Sequence, residues 1–175
     1  MKISNSDLQK LAAMENKRLS VEQVIEFNFT ANEVKLVIDY TKTIEQAIAD
    51  GNYDWKNADI TAKNFPISLE MIEKKIEVSI KLFNFNCDIS SEDAISKIDK
   101  AGYRPATLVE LLVLGFLFPE LQRRFPIVAL GSLWRNAFGD LCVPYLDMRC
   151  DRRKLDLNWF DDDWGTYDCF LVIRQ

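Results

Sequence analysis

The densest group of acidic side chains in this sequence is the run Asp161-Asp162-Asp163, which lies between Trp159 and Trp164. Calcium takes roughly six to eight oxygen ligands, which carboxylates in a loop can supply. Three adjacent acids on a regular strand would diverge, because alternate side chains point to opposite faces. The run is therefore predicted to be a solvated acidic turn. The alternatives are a weak calcium site or one half of a paired-carboxylate hydrolase, which would need a cleft and a second acid across it.

Histidine is absent from the chain. This excludes imidazole acid–base catalysis, the Ser-His-Asp and Cys-His mechanisms, and every histidine metal site. Any enzymatic activity would have to rest on carboxylates, Lys, Tyr, Cys or Arg. We therefore expect a protein with no catalytic residues and no cofactor.

The four cysteines are far apart and form no Cys-x-x-Cys pair: Cys87, Cys142, Cys150 and Cys169. Structural zinc is normally held by closely spaced ligand pairs, so a zinc site is not expected. The cysteines are predicted to be buried, small apolar residues.

The charge balance is acidic, with a formal net charge of −5. A general nucleic-acid binder would normally carry a basic face, so no nucleic-acid partner is expected. One basic run stands out, but acids are interleaved with it, and it is predicted to be a solvated, self-neutralising turn. Its basic members are Arg149, Arg152, Arg153 and Lys154.

No apolar run is long enough to span a bilayer, which takes ~20 residues. The longest run, residues 108–118, is too short, and the N-terminus lacks the apolar core of a secretory signal. We expect no membrane partner and a location in the cytoplasm, or in a virion as one of its components.

Hydrophobic periodicity predicts helices and one strand in the N-terminal part of the chain. Residues 1–28 have apolar residues at helical spacing, with a capping-box pattern at Ser20 and Gln23. Residues 33–40 alternate between apolar and polar, which is typical of a half-buried strand.

A further, short helix is predicted over residues 44–50, capped by Thr43 and ended by Gly51. Residues 52–68 show no clear period and predict an ordered loop. Its aromatic residues are expected to anchor it to the core, with ligand binding as the alternative. They include Tyr53 and Trp55.

Residues 76–82 alternate as a longer strand, and Ser90 caps a helix over residues 91–100. Gly102 suits the left-handed position just past a helix, and Pro105 prevents that helix from continuing. The intervening residues are predicted to be a short irregular link.

Thr107 and Glu110 form a capping-box pattern at the start of a second, almost wholly apolar helix. That composition predicts a deeply buried helix. After Pro126 the pattern changes to short strands, with a turn at Phe138-Gly139-Asp140. The strands are predicted over residues 127–130, 141–147, 154–160 and 167–174.

Residues 76–175 resemble the C-type lectin-like fold. The most specific match is Gly102-Tyr103-Arg104-Pro105-Ala106-Thr107-Leu108-Val109-Glu110-Leu111. It is similar to the Gly-(Tyr/Trp)-Arg-Leu-Pro-Thr-x-x-Glu-(Trp/Leu) segment of the branch containing formylglycine-generating enzymes and the variable proteins of diversity-generating retroelements. Pro and Ala are exchanged around Thr107, and the branch's Gly-Phe-Arg is missing before the last strand.

The resemblance implies an α+β fold in which two helices lie against a small mixed sheet whose last strand returns beside the one that begins near Ile76. An α/β N-terminal segment, residues 1–70, with helices and one strand, would pack on a main domain of residues 71–175. Arg104 is expected to be structural, bonding carbonyls at the helix link.

Family functions carry over less well than the fold. The cysteine pair of the formylglycine-generating enzymes is not reproduced by Cys142 with Cys150 or Cys169. The Glu-Pro-Asn and Trp-Asn-Asp calcium motifs of sugar-binding lectins have only partial counterparts in Val143-Pro144-Tyr145 and Trp159-Phe160-Asp161.

Proteins with this fold present their ligands on the short strands and the loops between them, and the resemblance implies the same for this chain. Aromatic and Arg side chains are enriched in binding hot spots. For the tryptophans the alternative is a place in the core. The residues predicted for this binding face are Trp134, Arg135, Asn136, Phe138, Tyr145, Arg149, Asn158 and Trp159.

The function predicted from these observations is a non-enzymatic module that binds a protein, a small molecule or a glycan. The first alternative is a structural or assembly protein, in a phage particle or as a homo-oligomer. The second is a histidine-free enzyme that uses carboxylate or cysteine chemistry.

Overall fold

The computed structural model describes residues 32–175. The helix predicted over residues 1–28, with its capping box at Ser20 and Gln23, lies outside the described residues.

The fold is α+β, as predicted, and combines three helices with a nine-stranded, mostly antiparallel sheet in the described part of the chain. Helices α1 to α3 cover Ile44–Gly51, Ser91–Lys100 and Leu108–Leu117. A 3-10 turn covers Leu121–Arg123. Strands β1 to β9 cover Val34–Asp39, Trp55–Lys56, Lys75–Phe83, Tyr103–Pro105, Ile127–Val128, Trp134–Arg135, Leu141–Arg149, Arg152–Trp159 and Cys169–Arg174.

The sheet is built around β9. Its order is β1-β3-β9-β5-β7-β8-β2, with β4 also paired to β9 and β6 also paired to β7. The last strand returns beside β3 as predicted, with Ile80 opposite Ile173 in an antiparallel register. The short strand β5 pairs in parallel with the first half of β9, while β4 pairs with its second half.

The predicted irregular link before α3 is in fact strand β4, which corrects the sequence interpretation. Tyr103 lies opposite Arg174, and Pro105 opposite Val172. Because β5 pairs only with the first half of β9, the backbone groups of the second half remain available to the link. Gly102, at φ 82°, makes the left-handed turn from α2 into this strand, as predicted.

Helix α1 begins as predicted but ends one residue later. The side chain of Thr43 accepts a hydrogen bond from the Gln46 N–H, and Asn52 rather than Gly51 takes the left-handed position at the end. A Cβ on Gly51 would lie 2.3 Å from the Tyr53 ring, so the glycine makes room for that ring. The loop predicted after it contains strand β2, which runs parallel to β8.

Helices pack on both faces of the sheet. Along β9, Leu171 and Ile173 join one apolar core with α1 and α3, while Phe170 and Val172 join a second core with α2. All four residues are buried, and burial on both faces of the sheet explains why the sequence of β9 is a continuous apolar run. Helix α3 is buried as predicted.

Described residues N-terminal to position 71, residues 32–70, contribute to the same sheet and the same core. Strand β1 pairs with β3 over its whole length, and Ile44 and Ile48 of α1 join the core that contains α3. No helix of the described residues is both long and apolar enough to cross a membrane.

The prediction that the basic run is entirely solvated is wrong for Arg153, which is only 6% exposed. Its guanidinium donates to the carbonyl oxygens of Gly51 at 2.7 Å and Gly115 at 2.8 Å, while its Nε donates to Gln122 at 3.1 Å. The neighbouring hairpin turn, Cys150 and Asp151, has positive φ at both residues. That backbone matches the twist of the flanking strands.

The burial predicted for the cysteines holds for Cys142 and Cys169 and is wrong for Cys87 and Cys150, which are exposed. Cys150 is exposed because it occupies the hairpin turn between β7 and β8. All four are free thiols.

Candidate functional site

Strands β6, β7 and β8 place two tryptophans on the same face of the sheet. Trp134 lies opposite Cys142, and Cys142 lies opposite Trp159. Neighbouring strands are roughly 4.8 Å apart, so the two tryptophan Cα atoms are ~10 Å apart with the small Cys142 between them. The three strands therefore form a slot with an indole on each side and a thiol at its base.

This slot is part of a groove with a volume of about 410 Å³. We call it the aromatic groove. It contains five of the eight residues predicted for the binding face: Trp134, Asn136, Phe138, Asn158 and Trp159. The other described residues that line it are Asn57, Asp59, Ala137, Cys142 and Leu157.

The two indoles differ in how firmly they are held. Trp134 is half-buried and packs against Phe65, with ring centroids 6.3 Å apart. Trp159 is 55% exposed. The alternative for both tryptophans was a position in the core. Trp134 is partly in the core, and Trp159 is not.

A tight hairpin between β6 and β7 presents Phe138. The Asn136 Oδ1 accepts the backbone N–H groups of Phe138 and Asp140, each at 2.9 Å, and Gly139 turns the chain at φ 97°. The Asn136 amide also donates to the Asp140 carboxylate at 3.1 Å. The Phe138 side chain is consequently left 92% exposed at the mouth of the groove.

The groove is electronegative. Of the described residues that line it, Asp59 is a carboxylate and none is Lys or Arg. Burial raises the pKa of the Cys142 thiol, and the charges of Asp140 and Asp59 raise it further. The thiol therefore stays protonated at neutral pH and is a poor nucleophile.

The remaining three predicted residues lie away from the groove. Tyr145 and Arg149 alternate with Cys142 along β7 and so face the other side of the sheet, where Tyr145 packs against the second core. The Arg149 Nε donates to Asp147 at 2.9 Å. Arg135 alternates with Trp134 and donates to the Gly139 carbonyl in the hairpin. The structure thus divides the predicted face in two.

The acidic run after β8 lies in a turn, with Asp161 and Asp163 exposed and Asp162 half-buried. Among residues 32–175 no group of three or more Cys, Asp or Glu side chains is placed to hold a metal ion.

No protein-family model, curated protein or solved structure matches this chain. The resemblance of residues 76–175 to the C-type lectin-like fold stays a prediction. The residues and geometry of this chain are therefore the basis of its proposed function.

The described residues also form a second, larger cavity of about 680 Å³, which we call the Arg104 cleft and which the sequence analysis does not predict. Its walls combine β4 and the start of α3 with residues 65–71 and 131–133. Residues so far apart in the chain give no local signal that they meet, so no pattern in the sequence could have predicted the cleft. The described residues that line it include Tyr40, Phe65, Met71, Arg104, Val109 and Leu133.

The polar side of this cleft is an ion pair that holds the start of α3. The Glu110 carboxylate is fully buried and accepts two hydrogen bonds from Arg104, at 2.6 and 3.0 Å, and one from the Thr107 N–H at 2.7 Å. Arg104 also donates to the Pro105 carbonyl at 3.2 Å, which confirms the carbonyl contact predicted for it.

Tyr40 completes this network. Its hydroxyl donates to Glu110 at 3.4 Å, and burial, followed by the Glu110 charge, raises the pKa of Tyr40 to about 12. The phenol therefore remains a neutral hydrogen-bond donor at physiological pH. The Thr107 hydroxyl also bonds the carboxylate, at 3.1 Å, so the side chains of Arg104, Tyr40 and Thr107 together satisfy it, which is what a structural role requires.

Proposed function

We propose that this protein is a non-enzymatic binding module of the C-type lectin-like type, and that the aromatic groove is its ligand site. The observation that carries the proposal is the slot between Trp134 and Trp159, which is formed by three paired strands and is open to solvent. The ligand contacts the indoles, and the hairpin that carries Phe138 forms one rim.

The size and composition of the groove support this proposal. Small-ligand sites commonly have volumes of roughly 300–1,000 Å³ and combine apolar walls with a few polar groups. The aromatic groove, at about 410 Å³, falls in that range. Tryptophan is also among the residues most enriched in binding hot spots, because a rigid ring buries a large area at low entropic cost.

The chemistry of the ionisable groups supports binding rather than catalysis. The chain has no histidine. The thiol in the groove has a raised pKa, which suppresses the reactive thiolate. The Glu110 carboxylate is fully buried and paired with Arg104, so a substrate cannot reach it.

A second candidate function, assembly with copies of the same chain, is favoured by exposed apolar side chains around the Arg104 cleft. Leu133 lines the cleft and is 48% exposed, while Leu69, on the segment that forms another wall, is 87% exposed. Light scattering that shows a stable oligomer, converted to monomer by Leu69→Ser with Leu133→Ser, would favour assembly, including a role as a virion component. A monomer at all concentrations would exclude it.

The test of the binding proposal is a screen against glycans and protein partners with the wild-type chain and two variants. Trp159→Ala removes an indole from the groove, and Trp55→Ala removes another exposed indole, 43% exposed, from outside it. We expect Trp159→Ala to weaken binding by at least tenfold, since hot-spot tryptophans contribute about 2 kcal/mol or more. Trp55→Ala should leave binding within twofold.

A parallel screen with a calcium chelator separates the metal-free proposal from a calcium-dependent lectin. Binding should survive chelation, because the acidic run forms no metal cluster. Partners whose binding responds to neither Trp159→Ala nor Trp134→Ala would contradict the proposal that the aromatic groove is the ligand site.

A further inference from the structure

Three asparagines line the aromatic groove. The side-chain amides of Asn136 and Asn57 are already used within the protein, while Asn158 alternates with Trp159 along β8, so its side chain faces the other side of the sheet. The Asn136 side-chain oxygen accepts hydrogen bonds from two backbone N–H groups, and its side-chain nitrogen donates to the Asp140 carboxylate. Asn57 donates to Asp156 at 3.0 Å and accepts from the Asp59 N–H at 3.0 Å. These amides shape the groove, and little of their hydrogen-bonding capacity is left for the hydroxyl groups of a ligand.

What the groove still offers to a ligand is ring faces and negative charge. The indoles of Trp134 and Trp159 flank the slot, and the Asp59 carboxylate has no hydrogen bond or ion pair among the described residues. Asp140 and Asp156 are the hydrogen-bond partners of the groove amides, and the run from Asp161 begins after Phe160, which follows Trp159.

None of the described residues that line the groove is Lys or Arg. Arg135, which is next to Trp134 in the chain, belongs to the opposite face of β6 and donates to the Gly139 carbonyl in the hairpin. Aromatic faces attract cations through the negative potential above the ring, and tryptophan does so best. A carboxylate at the same site adds a Coulombic attraction.

We propose that the aromatic groove binds an organic ammonium group, held between the indoles of Trp134 and Trp159 and paired with the Asp59 carboxylate. This inference rests on the proposed function and names the chemistry of its ligand. Cys142 lies midway across a slot that is ~10 Å wide between the tryptophan Cα atoms, so a cation above Cys142 has an indole on each side, and indoles attract cations within ~6 Å of the ring centroid.

The ammonium group can come from a free quaternary amine or from a lysine side chain of a partner protein. Both carry one positive charge, and trimethyllysine presents the same N-methyl surface as choline, whereas unmodified lysine presents N–H donors. The free probes are choline and tetramethylammonium, and the protein-borne probes are short peptides with a central lysine or trimethyllysine.

The first experiment compares choline with 3,3-dimethylbutan-1-ol, its uncharged isostere, by following the indole N–H resonances of the four tryptophans. We expect saturable shifts of Trp134 and Trp159, with choline binding at least fivefold more tightly than the isostere. Raising the salt concentration should weaken choline binding, because part of the attraction is Coulombic. Equal binding of choline and the isostere would overturn the proposal.

The second experiment uses variants with matched controls. Asp59→Asn should weaken choline binding by three- to tenfold, and Trp159→Leu, which keeps an apolar side chain but removes the ring, by at least fivefold. Glu70→Gln and Trp55→Leu, an exposed acid and an exposed indole outside the groove, should change it by less than twofold. No loss in Asp59→Asn and Trp159→Leu would overturn the assignment.

The peptides decide the source of the ammonium group. Peptide binding at least tenfold tighter than choline indicates a partner protein, and the reverse indicates a free amine; either result supports the ammonium site. A glycan or uncharged ligand that needs Trp159, together with no response to any ammonium probe, would overturn this inference and leave the proposed function standing. The proposed function itself fails only if no selected ligand responds to the groove variants.

Discussion

The guanidinium of Arg153 joins parts of the fold that are far apart in the chain. It reaches the last residue of α1, Gly51, and the last turn of α3 at Gly115. The helical partner of the Gly115 carbonyl would be the N–H of residue 119, which is a proline and has none. Arg153 supplies the missing donor, and its charge also suits the negative ends of the two helices.

Replacing this side chain tests the role directly. Arg153→Met should lower the free energy of unfolding by about 2–4 kcal/mol, because it leaves buried carbonyl oxygens without a donor. Arg153→Lys should recover only part of that loss, since an ammonium cannot reproduce the planar fork. Urea unfolding measures both.

The matched control is Arg152→Met, one residue away and exposed on the same strand. It should change stability by no more than about 0.5 kcal/mol. Equal effects of the two substitutions would mean that Arg153 is no more important than a solvated surface charge.

At the scale of elements, the connection from α2 to α3 depends on two glycines for different reasons. Gly102 has a φ of 82° and open space around its Cα, so only its backbone conformation demands glycine. Gly131 instead lies against β4, where a Cβ would come within 2.7 Å of the carbonyl oxygens of Pro105 and Ala106. The first glycine turns the chain, and the second lets two backbone segments approach.

This difference predicts the order of three alanine substitutions. Gly102→Ala should cost roughly 1–2 kcal/mol of stability, the cost of a left-handed backbone with a Cβ. Gly131→Ala should cost more, because rigid backbone oxygens must move. Gly165→Ala, whose nearest neighbour would be 3.8 Å away, serves as the control and should be nearly neutral. Thermal or urea unfolding gives the ranking, and a neutral Gly131→Ala would contradict the close approach.

At the scale of the whole molecule, β9 connects the two halves of the sheet and the two cores. It pairs with β3 on one side and with β5 and β4 on the other, and five of its six residues are buried. Strands β2 and β6 have only two residues each and lie off this centre. Opening β9 therefore requires global unfolding, while the short strands can open locally.

Hydrogen exchange should report this hierarchy. We expect the slowest amides in β9 and in the half of β3 paired to it, with protection close to the global free energy of unfolding. The amides of β2 and β6 should exchange faster by orders of magnitude. Exchange of β9 amides as fast as those of β6 would show that β9 is not the centre of stability.

Much of the helical structure could be predicted because its signals are local. Ser90 and Thr43 stand next to the helices they cap, and Gly102 stands next to the turn it allows. The return of the last strand beside β3 was also predicted, from its resemblance to a known order of elements. Strands β2 and β4 were missed, since short segments pair only where a neighbouring strand leaves its backbone groups free.

The candidate site was predicted in part for the same reason. Trp134, Asn136 and Phe138 are neighbours in the chain, and any fold would keep them close. Tyr145 and Arg149 were placed with them wrongly, because their side of the sheet depends on the register of β7 against β6. The ammonium proposal also requires Asp59, which lies in a loop far before Trp134 in the chain. No local pattern around Asp59 predicts that it lines the groove.

The helix caps, the apolar segments and the absence of imidazole chemistry follow from the amino-acid sequence, since each depends on residue type or on neighbours within a few positions. The order of the strands, the burial of Arg153 and the place of Asp59 in the same groove as Trp134 and Trp159 arise in the folded chain. Those features follow from which distant segments pair their backbone groups and share a core. That choice is made by the free energy of the whole chain, and no local pattern contains it.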